Sequence, residues 1–414
     1  MANANGARRV VVTGTGVVTP IGLNVPDFWA SMKVGKCGVS ELGGFPLEDL
    51  KILIAAQIKN FDPKVQLKHF QRDKLVMHAD RYSWFAAAAA DEAIKQSGLT
   101  VPMADPYRAA CIVGSGAGGL VTYENSYRAL FIEGKRATHP LTLLRIIGSS
   151  ASAHVGIEFG VKGPTFATCS ACSTATHAIG IARDFIRNNV VDVAIAGASE
   201  SVINYGTMKA WQALHVLSPE GCFPFAKKRN GTVLGEGAGI LVMESLEHAQ
   251  ARGAKILAEI VGYGMSSDAK DMVNPDIEGP NVAMRDALKD AQLSPSDIQY
   301  LNAHGTATTI NDANETRAIK AVFGNHAKNL AISSTKSMHG HPLGAGGGIE
   351  AVACINAMTE KWVPPTIGLD DPDPECDLDY VPNVGRDLNV TYAMSNSFAF
   401  GGLNAVLVFG PPPA

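Results

Sequence analysis

Cys172 lies in a run of small residues, Thr168-Cys169-Ser170-Ala171-Cys172-Ser173-Thr174, which leads into a helical pattern ending near Asn188. A thiol at a helix N-terminus meets unpaired backbone N–H groups and the positive end of the helix dipole. Both favour thiolate, and Ser, Thr and Ala neighbours leave room for a substrate. A lone cysteine beside a helix is more often an inert, buried small hydrophobe. Three further segments change that balance. They are Asn302-Ala303-His304-Gly305-Thr306-Ala307-Thr308, then Ser334-Thr335-Lys336-Ser337-Met338-His339-Gly340-His341, and Asn396-Ser397-Phe398-Ala399-Phe400-Gly401-Gly402. His304 and His341 sit in glycine-flanked loops after strand-like runs, where reactive side chains are commonly displayed. A core histidine satisfied by a backbone carbonyl would have the same local sequence. Lys336, five residues before His341, reads on composition alone as a surface lysine.

Cys169 and Cys172 form a C-x-x-C, the signature of a redox pair or half a zinc site. No second pair and no histidine cluster at ligand spacing follows, so no metal is expected. The runs Gly114-Ser115-Gly116-Ala117-Gly118-Gly119 and Gly235-Glu236-Gly237-Ala238-Gly239 do not fit G-x-G-x-x-G followed by a ribose-binding acid. Close packing of chain on chain explains them better. The net charge of −4 gives no footprint for nucleic acid. Cysteines at 37, 111, 169, 172, 222, 354 and 376 make an odd, scattered set that argues against a disulfide framework and for a reducing compartment. Arg8-Arg9 precedes too short an apolar stretch for a leader, and no segment approaches membrane-span length. A cytoplasmic location is expected.

The elements that must position these residues alternate. Short β-rich runs at 9–13, 109–114, 191–197 and 239–244 interleave with helical patterns at 84–97 and 175–186, which is α/β layering. The order restarts near residue 255, with strands at 256–261, 300–303, 330–334, 391–394 and 404–409 and helices at 280–292, 312–323 and 346–358. Two similar halves, 1–255 and 256–414, are therefore expected, sharing an extensive interface because no Pro- or Ser-rich linker separates them. The long excursion between residue 114 and Cys172 reads as functional or interfacial.

Taken in order, these four motifs resemble those of the elongating β-ketoacyl-acyl-carrier-protein synthases of the synthase II type. The resemblance covers essentially the whole chain. It implies a thiolase-like fold of two βαβαβαββ halves in an α/β/α/β/α layering, a homodimer, and condensation of an acyl group with malonyl-carrier protein. Cys172 would accept the acyl group, while His304 and His341 would donate hydrogen bonds to a thioester enolate. Lys336 would be a buried organiser paired with Glu350. Phe400, beside Phe398, would gate the malonyl side, and its backbone N–H, with that of Cys172, would form an oxyanion hole; the glycines that follow permit the motion. Thr306 and Thr308 would bind a phosphopantetheine arm that arrives on the carrier protein, with no resident cofactor. Lys68, Arg72, Lys74, Lys135 and Arg136 would dock that acidic partner.

Departures from the family pattern concern the substrate. Ala117 stands where many relatives place a larger aliphatic residue at the acyl-tunnel floor, and Ser149 and Ser150 replace a bulkier pair, which implies a deeper pocket. His339 replaces a frequent threonine, as in nodulation-type relatives. Val273, Ala226, Asn230 and Leu403 are further replacements. A specialised paralogue for very-long-chain, nodulation-type or polyketide-like lipids is the alternative. A non-catalytic chain-length-factor subunit is disfavoured because the nucleophile and both histidines are retained.

Overall fold

The computed structural model describes residues 7–67 and 78–413. Ten strands form one sheet. In chain order they are β1 (Val10–Val18), β2 (Ala109–Gly114), β3 (Thr165–Phe166), β4 (Val193–Glu200), β5 (Gly237–Ser245), β6 (Ala258–Ser267), β7 (Tyr300–Asn302), β8 (Ala331–Ser333), β9 (Ala393–Ala399) and β10 (Leu403–Gly410). Their spatial order is β8-β7-β9-β10-β6-β1-β5-β4-β2-β3. From β1 outward, β5 and β4 add antiparallel, then β2 and β3 parallel. From β6 outward, β10 and β9 add antiparallel, then β7 and β8 parallel. The two five-stranded groups thus repeat one topology, and they meet where Val11 pairs with Glu259 and Val12 with Ala258.

Seven helices matter for the site: α1 (Arg81–Ser97), α2 (Leu120–Phe131), α3 (Ser150–Phe159), α4 (Thr174–Arg187), α5 (Glu278–Ala291), α6 (Thr309–Phe323) and α7 (Gly346–Glu360). Three apolar clusters show the layering. α1 and α3 cover one face of the first group, α4 and α7 lie between the groups, and α5 and α6 cover the far face of the second. Strand period explains the sorting: in β5, Ile240 and Val242 face α1, whereas Leu241 and Met243 face the central helices. Strands covered on both faces read as continuous apolar runs, which is why their sequence signal was strong.

The glycine runs are packing devices. A Cβ on Gly239 would lie 2.2 Å from the carbonyl carbon of Gly348, so β5 and the first turn of α7 touch backbone to backbone. The excursion after β2 contains α2, a short helix Thr142–Ile146, α3 and the edge strand β3. Among the described residues no helix is long and apolar enough to cross a membrane.

Candidate active site

Cys172 sits in a 3₁₀ turn, Ala171–Ser173, immediately ahead of α4. Ala171 adopts φ +48°, a left-handed conformation that turns the chain sharply before the thiol. His304 follows β7. Its loop is held by Glu315 of α6, whose two carboxylate oxygens each accept a backbone N–H at 2.8 Å, from His304 and Gly305. His341 enters from the segment between β8 and α7, where its N–H donates to the Val233 carbonyl at 2.7 Å.

These loops converge. The Cys172 Sγ lies 3.1 Å from the His341 Nε2. The His304 and His341 rings stand edge to face with centroids 5.4 Å apart, and Phe398 packs against His304 at 6.0 Å. All three reactive residues are buried at the base of a cavity whose walls include Trp211, Thr306, Thr308, Val273 and Phe400.

The electrostatics correct one expectation. Burial pushes the Cys172 thiol up to about 12, against the pull of the Lys336 ammonium and the backbone N–H groups of Phe400 and Cys172. Loss of hydration outweighs the helix end, so the resting group is a thiol, and a base must take its proton as it attacks. His341 is in place to do so. Burial, reinforced by Lys336, holds both His304 and His341 well below the ordinary histidine range, so both are neutral at physiological pH. Neutral imidazoles can donate a hydrogen bond to a developing oxyanion without surrendering charge.

Lys336 and Glu350 form a buried ion pair, 1 % and 0 % exposed. Burial raises the Glu350 carboxyl while Lys336 pulls it down. Glu350 is on α7, so the pair clamps the His341 segment to the central helix layer. Phe400 is half-buried at the end of β9 and stacks on Trp211 with centroids 5.7 Å apart. Gly401 and Gly402 follow at φ +79° and +68°, conformations that side-chain-bearing residues rarely adopt. Thr306 and Thr308 bring their hydroxyls to 3.1 Å of each other on the cavity wall.

The chain matches the β-ketoacyl synthase N-terminal domain over residues 7–249 and the β-ketoacyl synthase C-terminal domain over residues 257–370. It belongs to the β-ketoacyl synthase family. Among the relatives of this β-ketoacyl synthase is nodulation protein E of Rhizobium sp. (strain N33), 45% identical over 97% of this chain and 99% of the relative. Another is 3-oxoacyl-[acyl-carrier-protein] synthase 2 of Staphylococcus aureus (strain COL), 44% identical over 97% of this chain and 98% of the relative. Among solved structures, a type II PKS ketosynthase in complex with its acyl-carrier protein superposes with a TM-score of 0.89. It is 34% identical and the match spans 98% of this chain and 100% of that one. The thiolase-like layering inferred for the β-ketoacyl synthase fold is the one observed.

Other expected positions are more dispersed. Ala117 packs against an apolar cluster that contains Cys172, Val202, Ile203, Leu343 and Ala399. Ser149 is exposed and Ser150 is buried. Lys135 is exposed and paired with Glu133 at 2.9 Å, Arg136 is exposed, and Lys68, Arg72 and Lys74 lie outside the described residues. His339 is buried away from the cavity against Thr335, held down to about 3 by burial. Sequence reasoning missed Glu315, Glu200 and Trp211. The signal for Glu200 was a carboxylate ending an apolar strand, Val193–Glu200; Trp211 carried no local signal.

Proposed function

We propose that this chain catalyses decarboxylating condensation of an acyl group, held on Cys172, with malonyl-acyl-carrier protein, giving 3-oxoacyl-acyl-carrier protein and CO2. The observation that carries the reading is the 3.1 Å approach of the Cys172 thiol to the His341 Nε2, with the His304 ring alongside. In the first half-reaction Cys172 attacks the acyl thioester, and its proton passes by way of His341 to the departing pantetheine sulfur. The tetrahedral oxyanion is received by the backbone N–H groups of Cys172 and Phe400. In the second, the malonyl thioester loses CO2 and its electron pair forms an enolate. Hydrogen bonds from His304 and His341 to the enolate oxygen stabilise it. The α-carbon then attacks the acyl-cysteine, and the collapsing adduct releases the Cys172 sulfur as thiolate, which takes up a proton from solvent to restore the resting thiol.

The remaining roles follow from placement. Lys336, paired with Glu350, reinforces the burial that keeps both imidazoles neutral, and Phe400 on its glycine hinge closes the cavity between half-reactions. Thr306 and Thr308 offer hydroxyls to the amides of a phosphopantetheine arm, which arrives on the substrate. Phe398 backs His304, and Ala117 borders the acyl chain. Lys135 and Arg136 stand exposed for an acidic carrier protein, a partner class supported by the structural relative solved with its own carrier.

A homodimer is supported by apolar side chains left in solvent, since Tyr123, Phe131, Ile132, Leu143 and Leu144 are 42–80% exposed, and by the short edge strand β3 that ends the sheet. A second reading, a specialised paralogue acting on unusual chains, is favoured by the small Ala117 side chain near the thiol and by the nodulation protein E relatives. The deciding experiment incubates the enzyme with a ladder of acyl-carrier proteins and malonyl-carrier protein. A product two carbons longer with one CO2 released supports the reading, and acyl transfer without CO2 release contradicts it.

A further inference from the structure

Glu200 has no role in the chemistry above, yet it is fully buried at the end of β4 and makes no ion pair among the described residues. Its Oε1 accepts from the Ser115 hydroxyl at 2.8 Å. Its Oε2 accepts from the backbone N–H of Gly116 at 2.8 Å and of Gly344 at 3.1 Å. The Ser115 hydroxyl in turn accepts the Gly118 N–H at 2.8 Å. One carboxylate therefore ties the turn at 115–118 to the turn Leu343–Ala345, which follows His341.

Both turns border the nucleophile, because Ala117 from one and Leu343 from the other pack in the apolar cluster that contains Cys172. The fit is close. A Cβ on Gly116 would lie 2.9 Å from the Glu200 Oε2, and one on Gly344 would lie 2.8 Å from it and 2.7 Å from the Gly116 nitrogen. An acceptor-only group is what three converging donors require. Burial lifts this carboxyl to about 7 against those donors, and its charge is felt at Cys172.

We propose that Glu200 is a positioning residue for acyl loading, pinning the turn that carries Ala117 to the turn after His341 and so setting the apolar slot in which the acyl chain lies beside Cys172. The inference rests on the acyl-cysteine reading above. It predicts an effect on the first half-reaction that the second does not share, because the enolate site is built from the His304 loop and the Val233-held His341 backbone.

The test compares the parent with Glu200→Ala, Glu200→Gln and Ser115→Ala, measuring two rates on each preparation. One is acylation of Cys172 by a long-chain acyl-carrier protein, read by mass spectrometry; the other is CO2 release from malonyl-carrier protein. Glu200→Ala should slow acylation by about ten- to a hundredfold, the scale of a small misplacement, with decarboxylation changed by less than about threefold. Glu200→Gln keeps a carbonyl oxygen for the two backbone donors and should recover most of the acylation rate. Should Glu200→Ala fail to fold, Ser115→Ala carries the test, with slower acylation and unaltered CO2 release expected. Unchanged acylation in the folded variants overturns the proposal. So does an equal loss of both rates that Gln does not rescue. A parent enzyme that performs neither reaction sinks the functional reading instead, so the two failures are distinguishable.

Discussion

Removing Glu350 strands the Lys336 ammonium in a site where the two side chains are 0 % and 1 % exposed. Taking away one partner of a buried pair costs about 3–5 kcal/mol, whereas replacing both by apolar groups of similar volume is often neutral or stabilising. Glu350→Leu should therefore lose about 3–5 kcal/mol, a large share of the ~5–15 kcal/mol that holds a typical domain folded. Lys336→Met should cost less, because the remaining carboxyl, already raised by burial, escapes by taking a proton. The sign of its pH dependence follows. A carboxyl whose folded pKa lies above its unfolded value binds more protons when folded, so the deficit of Lys336→Met grows as pH climbs above the ordinary carboxylate range. The double variant should recover to within about 1–2 kcal/mol of the parent. Urea unfolding followed by tryptophan fluorescence gives the free energies, and the double-mutant cycle gives the coupling. A Glu350→Leu cost below about 1 kcal/mol, or a double variant no more stable than the sum of the singles implies, would refute the buried-pair argument. The double variant should fold and yet be inactive, having lost the ion pair that clamps the His341 segment to α7.

Three other outcomes are expected. Ring ¹⁵N shifts of His304 and His341 should report neutral imidazole throughout pH 6–8, since burial and Lys336 hold both below the ordinary range; a titration near pH 6.5 would contradict this. Ala117→Phe should shorten the longest primer accepted while leaving short primers largely unaffected, with any overpacking cost of ~1–3 kcal/mol checked by thermal melting. Equal losses on all primers in a folded variant would remove Ala117 from the acyl slot. Cys169→Ser should retain most condensation activity, because Cys169 is exposed and its thiol faces the Gly116 carbonyl at 3.6 Å rather than a histidine.

Much of the fold was legible because its strands are covered on both faces. β2 was read at its observed limits, and β5 and α7 to within two residues, since apolar runs and glycine punctuation marked them. The ends of β1 and β9 were missed by five residues because Gly14, Gly16, Asn396 and Ser397 look unlike strand; the first two lie where a Cβ would strike α1. For the site, residues that act by chemical type, Cys172, His304 and His341, stood out in their motifs, whereas Lys336 read alone as a surface lysine and gained its role only from the family resemblance. Residues that act by three-dimensional placement did not stand out. Glu315 and Glu200 gain their meaning from backbone donors contributed by other turns, and Trp211 from stacking on a ring 189 positions away in sequence, which no local pattern encodes. The thiolate expectation failed for a related reason: a helix terminus is visible in sequence, whereas the depth of burial is not.

The central claim is that Cys172 carries the acyl group and surrenders it to a malonyl-derived carbanion. Peptide mass spectrometry after incubation with acyl-carrier protein alone, repeated after addition of malonyl-carrier protein, tests both parts. The account predicts the acyl mass on the peptide bearing Cys172 in the first sample. In the second, that mass should be gone and a 3-oxoacyl-carrier protein two carbons longer should have formed. Acyl mass on Cys169 or another residue, or an acyl-Cys172 that malonyl-carrier protein does not discharge, would contradict it.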